Sequence, residues 1–328
     1  MAYVDEILLM NHDPAVDPLP LISVVCPMHN EAPVLATFLG RLLPVLESTG
    51  FTFELVCVND GSRDATLDGL RAWQKSEPRL RVIDLSRNFG KEAALTCAID
   101  HARGSAVIPI DADLQDPPEL IVEMVRVWRQ GFDVVLAQRT DRSSDYFIKR
   151  KMAEWFYRVH NAVSDLPIPA NVGDFRLLDR KVVEALKLLP ERQRFMKGLF
   201  AWVGFRQAIV PYARAPRAAG ESKFSGWRLW NFAIEGITSF STAPLRIWTY
   251  LGLTLALCSF SFAFFIVGRV LLYGRDFPGY ASLITVVLFL GAIQLIGIGV
   301  IGEYIGRIYS ESKGRPIYIV REQKDDAR

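Results

Sequence analysis

The chain has 328 residues, half of them apolar, with 38 Lys and Arg against 36 Asp and Glu, a formal net charge of +2. That balance excludes a strongly basic nucleic-acid binder on composition. A mean hydropathy of +0.17 beside 23% charged residues excludes both disorder and a chain that is all membrane. A protein part soluble and part embedded in a bilayer fits both figures.

Residues 1–20 read as an N-terminal tail. Asp5, Glu6, Asp13 and Asp17 fall there, and no Lys or Arg precedes Arg41. A secretory signal needs a basic start and an apolar run, so none is expected and the soluble part is expected in the cytoplasm. From Leu21 onward short apolar runs alternate with amphipathic ones. Predicted strands are Leu21–Cys26, Phe53–Val58, Leu80–Leu85, Ala106–Ile110 and Asp133–Ala137. Predicted helices are Pro33–Leu46, Thr66–Lys75, Glu92–His101 and Pro118–Arg129. This alternation predicts right-handed βαβ units and a mainly parallel sheet, with ligands beyond the carboxyl ends of its strands.

The first strand runs into Pro27-Met28-His29-Asn30-Glu31 without a glycine, so the GxGxxG fingerprint is absent. Gly90-Lys91 lacks the upstream glycine of a P-loop. Four scattered cysteines (Cys26, Cys57, Cys97 and Cys258) form no CxxC or CxxxC pair and read as small buried apolar residues.

After Gln138 the regular alternation stops. An amphipathic helix is expected near 146–162, with Ile148, Met152, Trp155, Phe156 and Val159 on one face, and a second, juxtamembrane one at 226–244. Both suit a membrane surface, with ordinary surface helices packed on the core as the alternative. Ile247–Val267 and Phe277–Gly302 carry no charge and are long enough to cross a bilayer. Basic residues flank the pair on its outer sides, Lys223, Arg228 and Arg246 before it and Arg307, Lys313, Arg315 and Arg321 after it. The positive-inside rule then puts both flanks in the cytoplasm.

The sharpest local feature is the run Ile110-Asp111-Ala112-Asp113-Leu114-Gln115-Asp116. An apolar strand ends in carboxylates at i and i+2, which point the same way in extended chain and can share one hard cation. Mg²⁺ or Mn²⁺ there would neutralise charge on a diphosphate leaving group. The second strand ends in Asn59-Asp60-Gly61-Ser62, where Asp60 can accept from a ribose or base, Gly61 allows a tight turn, and Asp64 suits a helix cap. The third ends in Ser86-Arg87-Asn88-Phe89-Gly90-Lys91, adding two cations. A purely structural sheet would not require three consecutive strands to end in polar clusters.

These segments resemble the family 2 glycosyltransferases of GT-A fold, most closely the bacterial bactoprenol-phosphate glucosyltransferases, relatives of dolichyl-phosphate mannose synthase. The likeness extends through Gly173-Asp174-Phe175-Arg176, Gly220-Glu221-Ser222-Lys223-Phe224 and Arg315-Pro316-Ile317-Tyr318. It implies an α/β GT-A catalytic domain, Rossmann-like with a mainly parallel sheet, over residues 21–225. A two-helix transmembrane hairpin at 245–309 and a cytoplasmic tail at 310–328 follow. The implied reaction is metal-dependent, inverting transfer of one sugar from a nucleotide donor to undecaprenyl or another polyprenyl phosphate, at the bacterial inner membrane.

The resemblance places the donor nucleotide at Pro27, Asn30, Glu31, Asp60, Lys91 and Asp111, and the metal at Asp111 and Asp113. It casts Asp174 as catalytic base beside Asp113, with Gln115 and Arg176 as further site residues and Arg139 at the acceptor phosphate. Arg217, Ser222 and Lys223 lie just before the aromatic stretch leading to the first span, the depth of a lipid headgroup. They are expected to bind the acceptor phosphate, or else to act as a basic juxtamembrane segment that attracts anionic lipid. Asn59 departs from mannose synthase-like members, which tend to carry a second acid there, and this leans towards a UDP-sugar such as UDP-glucose. Asp174 could instead position the acceptor, shield the metal site or simply pair with Arg176, because a phosphate nucleophile needs little deprotonation. A homo-oligomer is compatible with the resemblance, and a nucleic-acid partner is not expected. Two other readings stay open. A processive polysaccharide synthase would share the domain, although its Gln-x-x-Arg-Trp motif is absent, and a membrane scaffold could carry a degenerate one.

Overall fold

The computed structural model describes residues 20–140, 172–192, 194–213, 243–273 and 279–323. The helices expected near 146–162 and 226–244, residues Arg217, Ser222 and Lys223, and the turn holding Arg275 lie outside the described residues, as does most of the N-terminal tail.

The first half follows the sequence closely. It runs β1 (Ile22–Met28), α1 (Ala32–Ser48), β2 (Phe53–Asn59), α2 (Thr66–Ser76), β3 (Leu80–Leu85), α3 (Lys91–His101), β4 (Ala106–Pro109), α4 (Leu120–Trp128) and β5 (Val134–Arg139). Then come β6 (Val172–Asp179), α5 (Arg180–Lys187), α6 (Met196–Trp202) and β7 (Gln207–Tyr212). Two long helices, α7 (Ala243–Tyr273) and α8 (Tyr280–Ser312), precede a last strand, β8 (Val320–Gln323).

The strands form one sheet in the order β7-β5-β6-β4-β1-β2-β3-β8. β1 pairs in parallel with β2 and β4, and β2 with β3. β6 is antiparallel to β4 and β5, and β8 is antiparallel to β3. Because strand side chains alternate, β1 sends Ile22, Val24, Cys26 and Met28 to one face and Val25 to the other. The first face packs on α1 through Leu35, Phe38, Leu39 and Leu42, and on α2 and α4. The second packs on α3, α5 and α6. Coverage on both faces explains why β1 and β2 are apolar runs without polar alternation. It also fixes where a ligand can approach. The chain leaves β1 towards β2 but returns on its other side with β4, so a crevice opens at their carboxyl ends.

Two features depart from the sequence reading. The tail expected over 310–328 is partly a strand, since β8 returns to pair with β3. β8 itself reads Val-Arg-Glu-Gln, a mostly polar run that does not announce a strand. And α7 and α8 run beyond the uncharged stretches, α7 through Arg269 and α8 through Glu303 and Arg307, which lie 3.9 Å apart.

Both helices are long and apolar enough to cross a bilayer. Their large side chains face outwards, Phe264 at 83% and Phe260 at 76% exposure, unlike a helical hairpin buried in a soluble core. They meet where Trp248 lies against Gly297, with the indole at van der Waals distance from where a Cβ would stand. Cys26, Cys57 and Cys97 are buried as expected, but Cys258 is exposed on α7.

Candidate active site

At the carboxyl edge of the sheet the loops after β1, β2 and β3 are locked together by hydrogen bonds. Asp60 is only 2% exposed. One carboxylate oxygen accepts from the Phe89 N–H at 2.7 Å and the other from the Gly90 N–H at 3.0 Å. Its carbonyl accepts from His29 Nδ1 at 2.8 Å if that nitrogen carries the proton. Gly61 adopts φ +58°, and a Cβ there would lie 2.4 Å from the Asn88 nitrogen, so only glycine lets these two loops approach. Asn30 also has a positive φ of 56°. Its Oδ1 accepts from the Arg63 N–H, and its own N–H donates to Ser62 Oγ. Asp64 accepts from the Thr66 N–H and hydroxyl and from the Ala32 N–H, so it secures the starts of α2 and α1 together.

These loops enclose a cavity of about 520 Å³ lined by His29, Asn30, Asn59, Arg63, Arg87 and Asn88, among others. Asn59 is buried and donates to Asp84 Oδ1 at 2.7 Å. Of the residues expected at the donor nucleotide, Asn30 lines the cavity, whereas Asp60 does not and lies buried behind it, its carbonyl against the lining residue His29. Pro27 is in register with Val58, and the Glu31 N–H donates to Thr66 Oγ1.

The other half of the edge, over β4 and β6, is charged. Lys91 begins α3, and its ammonium bridges Asp111 Oδ2 at 2.8 Å and Asp174 Oδ2 at 2.9 Å. Residues separated by 20 and 83 positions thus meet at one cation. Burial opposes the Lys91 charge, but Asp111 and Asp174 outweigh it and hold the ammonium well above its ordinary pKa. Burial likewise opposes the Asp174 charge, and Lys91, Lys197 and Arg176 overcome it, holding that carboxyl well below the usual carboxylate range. The Lys91 side chain is 46% exposed along its length, so solvent screens the pair and its role is orientation more than stability. Asp174 Oδ1 is buried and accepts no hydrogen bond.

Around this centre the remaining expected residues fall into place or apart. Asp113 Oδ1 accepts from the Gln115 N–H at 3.1 Å across Leu114, which has φ +57°. That strained turn fixes Asp113 at the loop mouth. Arg139 lies against Gly173, donates to the Tyr212 hydroxyl at 3.2 Å and stands 3.8 Å from Asp116. The Tyr212 hydroxyl donates to Asp116, and burial with that neighbouring charge pushes its pKa up to about 12. Arg176 is buried, donates to the Gly173 carbonyl and lies 4.1 Å over the Phe200 ring. Lys91 is thus a direct partner of Asp174, and the Arg176 charge also favours its ionised form.

Sequence reasoning missed Glu92 and the Asp116–Tyr212 pair. Glu92 accepts from the Met196 N–H at the start of α6. Burial first, and then the Asp174 charge, raise its pKa to about 7 against the opposing pull of Lys91. Its place beside Lys91 was a usable signal. Tyr212 carried none, because its partner is 96 residues away.

The chain matches the model described as glycosyl transferase family 2 over residues 23–187, and that of the GtrB C-terminal hairpin over 243–308. It is 53% identical to an uncharacterized glycosyltransferase of Synechocystis sp. over 92% of this chain and 95% of that one. It is also 53% identical to the bactoprenol glucosyl transferase of Shigella phage SfV, covering 92% of this chain and 99% of that protein. A prophage bactoprenol glucosyl transferase homolog of Escherichia coli strain K12 is 51% identical, with the same coverage. The βαβ sheet, the acidic loop after β4 and these matches along the chain agree: it belongs to glycosyl transferase family 2 and is a glycosyltransferase.

Proposed function

We propose that this protein transfers a single sugar from a UDP-sugar, UDP-glucose in the first instance, to undecaprenyl or another polyprenyl phosphate at a membrane. The observation that carries this reading is the Asp111–Lys91–Asp174 bridge at the β1–β4 crevice, in a chain whose last two long helices can span a bilayer. Relatives named as bactoprenol glucosyl transferases support the choice of lipid and sugar.

The donor would lie along the sheet edge, its nucleoside over β2 and β3 in the cavity and its diphosphate over β4. Asp111 and Asp113 supply hard oxygen ligands, and the described residues hold no cluster of three or more His, Cys, Asp or Glu side chains fit for a metal. That donor set suits Mg²⁺ or Mn²⁺, which bind through one or two carboxylates and complete their shell with phosphate oxygens and water. When bound, the metal would supply charge neutralisation at the leaving diphosphate. Lys91 adds a fixed cation at the same place, preorganised by its two carboxylates.

The acceptor is a phosphate monoester with a second pKa of about 6, mostly dianionic at neutral pH. It attacks without giving up a proton. Asp174, held ionised by Lys91, is a poor proton acceptor, and its work is to aim Lys91 at the diphosphate. Arg139, together with Arg217, Ser222 and Lys223, would bind the acceptor phosphate. Residues 146–162 and 226–244, with the basic flanks of the hairpin, would hold the domain on the cytoplasmic face. The lipid tail then never has to leave the bilayer.

The test offers membranes containing the protein a panel of labelled UDP- and GDP-sugars with undecaprenyl phosphate. Label from a UDP-hexose in a single-sugar lipid, lost in EDTA, is the expected result. Label in a polymer, or none in lipid, would refute the reading.

A further inference from the structure

The cavity over β2 and β3 has one wall that does not come from the nucleotide-binding half of the chain. Arg321, on the strand that returns after α8, lines it together with Arg63 and Arg87. The way it gets there is specific. β8 pairs Glu322 with Asp84 and Val320 with Leu85, so Arg321 is the extra residue between them. Such a bulge re-aims one side chain, and bulges concentrate beside active sites.

The guanidinium is then fixed on one side only. Nη2 donates to the Ser86 carbonyl at 2.5 Å, and Nη1 stands 3.4 Å from Asp84 Oδ2. Asp84 is buried and its other oxygen accepts from Asn59, itself a cavity residue. Arg321 itself stays 58% exposed. A planar fork with five N–H donors, engaged by one hydrogen bond and one charge contact, keeps donors for a third group. β8 does not depend on this contact for its place. The Arg71–Glu322 ion pair, the Ser86 N–H on the Ile319 carbonyl and the Tyr318 hydroxyl on Asp100 also anchor it.

We propose that Arg321 is a donor-binding residue, reaching from the strand after the membrane hairpin to donate hydrogen bonds to the nucleoside of the nucleotide sugar. This rests on the reading that the donor nucleoside occupies the cavity. The segment after α8 is then part of the donor site, and any strain that shifts the hairpin reaches the nucleotide through β8.

The experiment measures binding of UDP and of GDP to the full-length protein in detergent by calorimetry, with donor and acceptor KM from turnover. Arg321→Ala should weaken UDP binding about tenfold, equal to about 1.4 kcal/mol. It should raise the donor KM alike and leave the acceptor KM unchanged. Glu322→Gln breaks the neighbouring ion pair of the same strand and should leave UDP affinity at the wild-type value. If Arg321→Ala does not fold, Arg321→Lys, which keeps a cation for Asp84, should be stable yet bind UDP more weakly. Wild-type affinity in every folded Arg321 variant, or equal losses in Arg321→Ala and Glu322→Gln, would make the residue a strand pin and overturn the proposal. A wild-type protein that binds neither nucleotide would overturn the donor reading itself, and this proposal with it.

Discussion

The two halves of the sheet's carboxyl edge hold their carboxylates with different partners. Over β1–β3 the carboxylates are held by neutral donors: Asp60 is closed by two backbone N–H groups, and Asn59 donates to Asp84 Oδ1. Asp84 Oδ2 accepts no hydrogen bond and has the Arg321 guanidinium 3.4 Å away. Over β4–β6 the carboxylates are left to a shared cation, and Asp174 keeps a buried oxygen without a hydrogen bond. Carboxylates closed by backbone and amide N–H groups hold shape, whereas carboxylates that share one half-exposed ammonium are placed to meet a ligand. The difference teaches that a conspicuous acid at a strand end need not be chemical. Asp60 ties together the loops beside the cavity, and in the proposed reaction Asp111, Asp113 and Asp174 stand at the diphosphate.

The largest effect should come from the reactive half. Asp113→Asn keeps the turn to Gln115 but removes one of the two carboxylate charges proposed to hold the metal, and should lower kcat by about a hundredfold or more. Circular dichroism and melting should stay close to wild type. Activity near wild type, or Mg²⁺ dependence unchanged, would erase the contrast between the halves.

The next effect is on stability and belongs to the shaped half. Asn59→Asp sets a carboxylate where an amide now donates to Asp84, costing about 1–3 kcal/mol at neutral pH. The folded-state pKa of that pair rises above the unfolded value. The penalty is therefore complete above the raised folded pKa and vanishes below the unfolded one, near pH 4. Melting temperatures of the variant and wild type should converge on acidification. A constant gap across pH would show that Asn59 is not held against the Asp84 charge.

The smallest effect tests the seam between the halves. Glu92, raised to about 7, costs stability as pH climbs from its unfolded pKa of about 4.5 through 7, and the cost is constant above that. Glu92→Gln keeps an acceptor for the Met196 N–H and should flatten that part of the melting-temperature profile. An identical slope in both proteins would remove Glu92 from the account.

Much of the shaped half was legible because its strands are apolar runs covered on both faces, each ending in a polar cluster. The acidic run after β4 was equally plain. What the sequence hid was pairing at a distance. β7 is a short edge strand whose Ala208-Ile209-Val210 run is broken by Pro211, and its side chains at Gln207, Ile209 and Pro211 are exposed. β8 is Val-Arg-Glu-Gln, which reads as a charged tail until its backbone meets β3. Lys91 could be assigned to the donor from its motif, but not to Asp174. Arg321 was read as one basic residue in a membrane flank. In both cases local spacing was silent because the contact is made by the sheet order.

The central claim is that the β4–β6 half drives the transfer while the β1–β3 half holds the donor. Asp174→Asn, measured for UDP affinity and for sugar transfer to undecaprenyl phosphate in one preparation, tests it most directly. The account predicts UDP affinity within a few-fold of wild type and a transfer rate lowered by about a hundredfold. Transfer at the wild-type rate, or UDP affinity lost in proportion to the rate, would contradict it.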